Sequence, residues 1–208
     1  MTIKVSISET VTAEQRIDPA FIKLHKESEA FLNSTAFTAR YRRKLSLHEG
    51  AHAYYARRAN AINIKYRGPM MTWHAKLDCP FIVRASVDYT LPVTVTPIEA
   101  IKVCIAGFVL PEYYGTPNEP ISIEGDMDRA KRWFAELVGG TKEEFETEFL
   151  NAKAEILAEI LIPSVQEGIV AEMTRFLSEV FPVPVPPAPS RVKLTSAVLR
   201  ARRMGWMA

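Results

Sequence analysis

The sequence predicts an α+β protein that is mainly α-helical, with a small antiparallel sheet beside its central helix. Two long stretches, 18–32 and 36–59, place apolar residues at intervals of three and four, which is the spacing of one helix face. Between Ile62 and Val95 the pattern changes to short alternating segments separated by turn residues such as Gly68-Pro69. With 208 residues, 48% of them hydrophobic, the chain is long enough for one globular domain with a sizeable core.

In the N-terminal half, the alternation of Ile3, Val5 and Ile7 indicates a short strand or a loose segment. The stretch 18–32 is predicted to be an amphipathic helix, in which His25 is interpreted as an exposed or partly packed residue rather than a metal ligand. The polar residues 33–35 can cap the central helix, which is predicted over 36–59. The alternating segments predict strands at 62–66, 70–75 and 81–89.

In the C-terminal half, Thr96-Pro97 places a proline at the first position of a helix that is apolar on most sides and therefore buried. Pro111 is expected to kink or end this helix, and a loop follows over 115–120. Another helix is predicted from about Met127 to Leu137. The capping box at 141–144 then begins a helical stretch that continues to Val180 and is broken or bent near Pro163 and Gly168.

The composition changes after residue 181. Residues 1–181 are predicted to be the folded domain, and 182–190 form a proline-rich linker that is stiff and extended. The last segment, 191–208, contains five basic residues and no acid, although the whole chain has a net charge of only +2. This basic tail is expected either to keep an exposed terminus soluble or to contact an acidic partner, nucleic acid or a membrane surface.

The sequence contains no run of eighteen apolar residues and no signal-peptide pattern near its N-terminus, so no membrane span is expected. Cys79 and Cys104 form neither a disulfide framework nor a zinc-binding pair. These observations predict a cytoplasmic protein.

The central helix contains the pattern H-E-x-x-H at His48, Glu49 and His52. Residues four apart lie on one helix face, so both imidazoles can bind one ion, and two histidine nitrogens suit Zn²⁺. Glu49 lies close enough to take a proton from a water held on that ion, which would make it a nucleophile toward a peptide carbonyl. The pattern therefore predicts a zinc-dependent peptidase.

A zinc site of this kind needs a third protein ligand. No glutamate occurs within twenty-five residues after His52, and no histidine lies six residues after it. The remaining source of a third ligand is the acidic segment 124–128, which precedes a later helix. Gly125 gives the backbone there the conformational freedom to direct a carboxylate inward. Spacing alone leaves Asp126 and Asp128 open as ligands, and either residue can instead cap the helix.

Peptidases with this helix commonly hold the substrate as an added strand, since main-chain hydrogen bonding tolerates any sequence. Residues 70–75 are the predicted strand edge for this purpose. His74, in the same segment, is interpreted as a surface residue near the cleft.

Three blocks of the sequence resemble the protease domain of the FtsH-type ATP-dependent zinc metalloproteases. They are His48-Glu49-Gly50-Ala51-His52-Ala53, then Ala106-Gly107 with Glu112 and Gly115, then Gly125-Asp126 with Ala130. The resemblance covers roughly 30–180 and implies a zincin-like helix bundle in which Asp126, rather than Asp128, is the third zinc ligand. It also implies that Glu112 orients the metal ligands. Phe108, Pro111 and Gly125 differ from the family pattern, as does the exchange of Gly and Ala inside the first motif.

Members of that family carry an ATPase module ahead of the protease domain, whereas this sequence has no G-x-x-x-x-G-K-[ST] loop. The expected activity is therefore an ATP-independent zinc metalloendopeptidase that cleaves peptides, unfolded protein or what a separate ATPase delivers. The alternatives are a catalytically silent peptidase-fold module that binds a partner protein, and a regulatory protease that acts on one specific protein.

Overall fold

The computed structural model describes residues 3–34, 39–75, 77–83, 85–116 and 120–181. Within these ranges, 65% of the residues are helical, which confirms the mainly helical α+β class. The elements in chain order are β1 (Ser6–Ile7), α1 (Ala13–Arg16), α2 (Pro19–Leu32), α3 (Ala39–Arg58), β2 (Ile62–Arg67), β3 (Met70–His74), β4 (Cys79–Val83), β5 (Ser86–Thr90), α4 (Pro97–Tyr113), α5 (Pro120–Val138), α6 (Lys142–Glu159) and α7 (Pro163–Val180). The predicted linker 182–190, the basic tail 191–208 and the predicted cap at Thr35 lie outside the described residues.

Helix starts follow local side-chain chemistry. The Asp18 side chain accepts hydrogen bonds from the first amides of α2, and Pro19 occupies the first helical position. Capping boxes begin α4 at Thr96 and α6 at Thr141, where a glutamate three residues later bonds back to the cap amide. The helix starts predicted at these two threonines are confirmed.

The strands form two small sheets rather than one. β1, β3 and β4 lie in that order, with β1 parallel and β4 antiparallel to β3. β2 and β5 form a separate antiparallel pair beside α3. The single strand predicted over 81–89 is therefore two strands in different sheets, since an alternating pattern does not identify hydrogen-bonding partners. The edge predicted at 70–75 is also wrong, because β3 has a neighbour on each side.

Two predicted helix boundaries need correction. Helix α5 begins at Pro120, well before Met127, so Gly125 and Asp126 lie inside a helix rather than in a loop. Over 120–125 the apolar residues Ile121 and Ile123 alternate with Ser122 and Glu124, which is not the periodicity of a helix, so the sequence pattern did not indicate these turns. In α7, Pro163 marks the predicted break but Gly168 continues the helix.

Helix α4 occupies the centre of the molecule. Residues 100–111 are all buried, and α3, α5 and α6 pack around this helix, while α7 packs against α3. The helix continues past Pro111 to Tyr113. A second apolar cluster joins α2, β1 and β3 to the C-terminal end of α7 at Phe176. None of the described helices combines the length and apolar character needed to span a bilayer.

Candidate metal centre

Three predicted ligands, His48 and His52 of α3 and Asp126 of α5, converge on one point. The Nε2 atoms of the two histidines are 3.3 Å apart. The Asp126 Oδ2 atom is 3.5 Å from His48 Nε2 and 3.3 Å from His52 Nε2. These three side chains form a group that can hold a metal ion. Among the described residues, no other three His, Cys, Asp or Glu side chains form such a group.

The spacing of the three atoms fits a small tetrahedral ion. Around such an ion, with ligands at about 2.0–2.1 Å, the ligand atoms stand about 3.3–3.4 Å from one another. The observed triangle has nearly these edges. Three protein ligands leave one tetrahedral position open, which is the arrangement of catalytic rather than structural zinc sites.

The backbone of α4 lies against both imidazoles. His52 Nδ1 lies 2.6 Å from the Val103 carbonyl oxygen, and the His48 ring lies beside the backbone of Gly107. Val103 and Gly107 are four residues apart, as are the two histidines, so one turn of α4 lies against one turn of α3. The His52 ring is thereby turned with Nε2 toward the shared point, as outer hydrogen-bond partners commonly do at metal sites.

Gly107 makes this approach of α4 to α3 possible. A Cβ atom at this position would lie 2.1 Å from His52 Nε2 and 2.6 Å from Cε1. Any side chain here would therefore displace the ring that the group requires.

The polar atoms of the group lack other partners. His52 Nδ1 donates its hydrogen to Val103, so the neutral ring has only a lone pair at Nε2. Asp126 Oδ2 is buried and has no hydrogen-bond partner. Three acceptors that face one another need a cation or a proton between them.

The pKa shifts indicate which of these side chains carries a proton when no metal ion lies between them. Burial lowers the pKa of His48 to about 4, and the neighbouring His52 contributes to this shift. Burial also acts to lower the pKa of His52, but the carboxylates of Asp126 and Glu49 raise it overall. The pKa of Asp126 is lowered, because the two histidines outweigh the effect of burial. His52 and Asp126 can thus share a proton where a metal ion would otherwise lie, so proton and metal compete for one position.

Glu49 lies beside the group without belonging to it. Its Oε1 atom is 4.0 Å from His48 Nε2, and the side chain is buried. Burial raises the pKa of Glu49 to about 8. The backbone of Val87 in β5 lies near the Glu49 carboxylate and acts in the opposite direction, to lower this pKa.

Other predicted residues lie elsewhere. Asp128 is exposed on α5, so the structure selects Asp126. The orienting role assigned to Glu112 is wrong, because this side chain is exposed and pairs with Lys153 of α6 at 3.2 Å. The Val103 carbonyl orients His52 instead. His25 is not a ligand, since its Nε2 bonds to the Val5 carbonyl at 2.9 Å.

Sequence reasoning missed the contributions of backbone atoms. The Val103 carbonyl that bonds to His52 has no residue-type signature, because any amino acid can supply a backbone carbonyl. Gly107 could have indicated the contact between α4 and the histidines, since a glycine in a buried helix interior often marks a close approach of another group.

Comparisons of the chain with models of protein families, with curated proteins and with solved structures found no match.

Proposed function

We propose that this protein is a zinc-dependent metalloendopeptidase that hydrolyses peptide bonds without ATP. The observation that carries the proposal is the triangle of His48, His52 and Asp126, whose edges of 3.3–3.5 Å suit tetrahedral zinc, with Glu49 beside it. The order of these residues along the chain, like that of the FtsH-type protease domain, also supports it.

The donor set favours zinc over harder cations, since two imidazole nitrogens and one carboxylate oxygen suit zinc, whereas calcium and magnesium prefer oxygen ligands. Zinc held there would supply a Lewis acid that lowers the pKa of a coordinated water to about 7.

Glu49 would act as the general base and then as the general acid. Its carboxylate accepts a proton as water attacks the peptide carbonyl, and it returns that proton to the amine that leaves. Burial raises the pKa of Glu49 to about 8, and a cation held beside it would lower that pKa, which favours the carboxylate form that the first step requires.

The edge of β5 that does not pair with β2 is the proposed surface for the substrate. Among the described strands β5 pairs only with β2, and its residue Val87 lies near Glu49. A peptide added along this edge would bind through its main chain and pass beside Glu49. Only extended segments can bind in this way, so the proposed substrates are flexible peptides and unfolded protein.

The test combines metal analysis with digestion of a reduced and alkylated unfolded protein in the absence of ATP. The wild type is expected to hold one zinc ion per chain and to cleave. Glu49→Gln should keep the zinc but lose at least about a hundredfold in kcat, since general acid–base catalysis contributes about 10²–10⁴. Asp126→Asn should lose both zinc and activity, whereas Asp128→Asn, on the exposed side of α5, should keep both.

Two outcomes would contradict this proposal. Stoichiometric zinc without cleavage would reject the peptidase and favour the catalytically silent module. Cleavage that is equal in the wild type and in Glu49→Gln would show that a contaminating protease acts on the substrate.

A further inference from the structure

We propose that the groove between α2 and β3 is a peptide-binding site, which takes an extended segment with apolar side chains at alternate positions. Residues 3–7 of the chain fill this groove in cis, and a segment of the same chemistry from another polypeptide can replace them. The groove belongs to a different apolar cluster from the one around the metal-binding group, and the proposal does not depend on the proposed peptidase function.

One edge of the segment 3–7 pairs with β3 through the main chain. Ser6 N donates to the Pro69 carbonyl oxygen at 2.9 Å. Ser8 N donates to the Met71 carbonyl oxygen at 2.8 Å. These bonds join main-chain atoms, as in any parallel pair of strands, and therefore hold an extended backbone without selecting its sequence.

The other edge of the segment pairs with side chains rather than with a strand. The Asn33 amide group makes two bonds with Ile3: Oδ1 accepts from the backbone N–H at 2.8 Å, and Nδ2 donates to the carbonyl oxygen at 2.8 Å. At Val5 the two bonds come from two residues. Glu29 Oε1 accepts from the Val5 N–H at 3.3 Å, and His25 Nε2 donates to the Val5 carbonyl oxygen at 2.9 Å. The backbone polar groups of Ile3 and Val5 thus all have partners.

The geometry of a helix and of a strand explains why these contacts repeat. His25 and Glu29 of α2 and its C-cap residue Asn33 are four residues apart, so they lie on one face with a rise of about 6 Å from each to the next. Backbone groups on one edge of a strand recur every second residue, about 6.6–6.8 Å apart. Because the two spacings nearly match, this face of α2 can follow an extended backbone in place of a neighbouring strand.

The side chains of the segment alternate between the protein interior and solvent. Ile3 and Val5 are buried in the apolar cluster that also contains Phe21 of α2. Lys4 and Ser6, between and after them, are exposed. The groove therefore selects two apolar side chains two residues apart and accepts any residue between them.

This combination is that of peptide recognition by strand addition, in which main-chain bonds supply affinity and pockets for alternate side chains supply specificity. The expected partner is a flexible polypeptide segment with isoleucine or valine at alternate positions. The chain's own segment competes with such a partner through a high effective concentration, of about millimolar order for a short connection. A separate peptide should therefore bind well only when the segment 3–7 has been weakened.

The experiment uses the full chain carrying Glu49→Gln, called the parent chain, so that the proposed peptidase activity does not consume the probe. Ile3→Ser with Val5→Ser then removes the two buried side chains and leaves the lining of the groove unchanged. The probe is an acetylated peptide with the sequence of residues 3–10, labelled with fluorescein at its C-terminus, and fluorescence anisotropy measures its binding. The double variant should bind the peptide at least about tenfold more tightly than the parent chain does. Lys4→Ser, which changes an exposed side chain of the same segment, is the matched control and should bind it as weakly as the parent chain.

Two further changes test how the groove recognises the peptide. A peptide of the same composition, with its apolar and polar positions exchanged, should not bind, because a shift of one residue moves each apolar side chain to the other face. Asn33→Asp, added to the double variant, keeps the shape of the side chain but replaces the donor to the first peptide carbonyl with an acceptor. Affinity for the peptide should then fall by about tenfold, since one hydrogen bond is lost and an acceptor is left unpaired.

A second measurement uses the parent chain alone, so it does not depend on whether the double variant folds. Hydrogen exchange of the Ile3 and Val5 amides is followed as unlabelled peptide is added. A peptide that occupies the groove holds the chain's own segment outside it, so these amides should exchange faster. Above the Kd of the peptide, a tenfold increase in its concentration should raise the exchange rate about tenfold, while the buried amides of α4 should exchange as before.

Two results would overturn the proposal. One is a double variant that keeps the far-ultraviolet circular dichroism of the parent chain and does not bind the peptide, which would show that residues 3–7 are a fixed part of the fold. The other is exchange of the Ile3 and Val5 amides at a rate that the peptide concentration does not change. Neither assay measures cleavage, so absence of peptidase activity in the wild type would reject the proposed function and leave both tests intact.

Discussion

The metal-binding group contains three acceptor atoms that repel one another unless something positive lies between them. Neutral His48 and His52 each present a lone pair, and Asp126 presents a buried carboxylate oxygen without a hydrogen-bond partner. Burying such a carboxylate costs free energy that hydrogen bonds usually offset. A divalent ion could satisfy all three atoms together, so the chemistry of this group suits a cation better than an anion or a neutral ligand.

Gly107 provides a test at this scale. Gly107→Ala would place a methyl group against the His52 ring, at 2.1 Å from Nε2. The ring must then move, so we expect loss of zinc binding and a decrease in the free energy of unfolding of about 1–3 kcal/mol, the usual cost of overpacking. Isothermal titration with zinc and urea unfolding measure the two effects.

Gly125→Ala is the matched control for this substitution. Gly125 is a helical glycine next to Asp126, and a Cβ atom there would meet nothing within 4 Å. Zinc affinity should be unchanged, and the free energy of unfolding should rise by about 0.5–1 kcal/mol. If Gly107→Ala binds zinc with wild-type affinity, α3 and α4 can move apart at this point without a cost in free energy.

The sequence identified these residues unequally. The short motif on one helix predicts His48, Glu49 and His52, because a spacing of four fixes their relative position. Asp126 needed the resemblance to a family as well, since its spacing could not be distinguished from that of Asp128. Glu112 was misplaced, because the helix turn that carries it faces α6 and Lys153 rather than the metal centre.

At the scale of elements, α3 is fixed on several sides, and each contact has a separate role. Helix α4 packs against the histidines and orients His52, and β5 packs near Glu49. Helix α7 packs closely on the remaining side, where a Cβ atom at Gly50 would approach the Met173 backbone and one at Gly168 would contact the Tyr54 ring. The predicted bend at Gly168 is instead a site of close helix packing.

A buried carboxylate joins α7 to α3 and β2. Glu172 accepts hydrogen bonds from Arg57 Nε at 2.9 Å, from Arg175 Nη1 at 2.7 Å and from the Tyr66 hydroxyl. Glu172→Gln removes the charge that binds both arginines, so the free energy of unfolding should fall by about 1–3 kcal/mol. Arg57 and Arg175 are partly exposed, so water screens their interactions with Glu172. The range therefore extends down to about 1 kcal/mol.

Urea unfolding followed by circular dichroism measures the effect of this substitution, with Glu179→Gln on the exposed side of α7 as control. Zinc stoichiometry should be unchanged in both variants, because Glu172 does not contact the metal-binding group. Equal stability of Glu172→Gln and the wild type would show that the contact contributes nothing to the α3–α7 interface.

For the whole molecule, the metal-binding group links two helices that are far apart in sequence. Histidines from α3 and a carboxylate from α5 meet only when both helices pack on α4. The unfolded chain lacks this arrangement, so an ion that binds the folded state must stabilise it.

Zinc is therefore expected to raise the melting temperature. At a free concentration about a hundredfold above its Kd it contributes about 2.7 kcal/mol, which corresponds to about 5–10 °C for a chain of this size. Differential scanning calorimetry of chelator-treated protein, before and after zinc addition, measures the shift. Calcium should have little effect, since it prefers sites built from oxygen ligands alone. A melting temperature that zinc leaves unchanged would contradict a resident zinc ion.

The sequence by itself determined the features that depend on neighbouring residues. Helix periodicity, the capping boxes at Thr96 and Thr141 and the spacing of His48 and His52 are all set within a few residues, so local rules predict them. Only the tertiary structure decided which strands pair, where α5 begins, and which carboxylate completes the metal-binding group. Those features depend on packing between distant segments and on backbone atoms that every residue type provides, and neither leaves a pattern in the sequence.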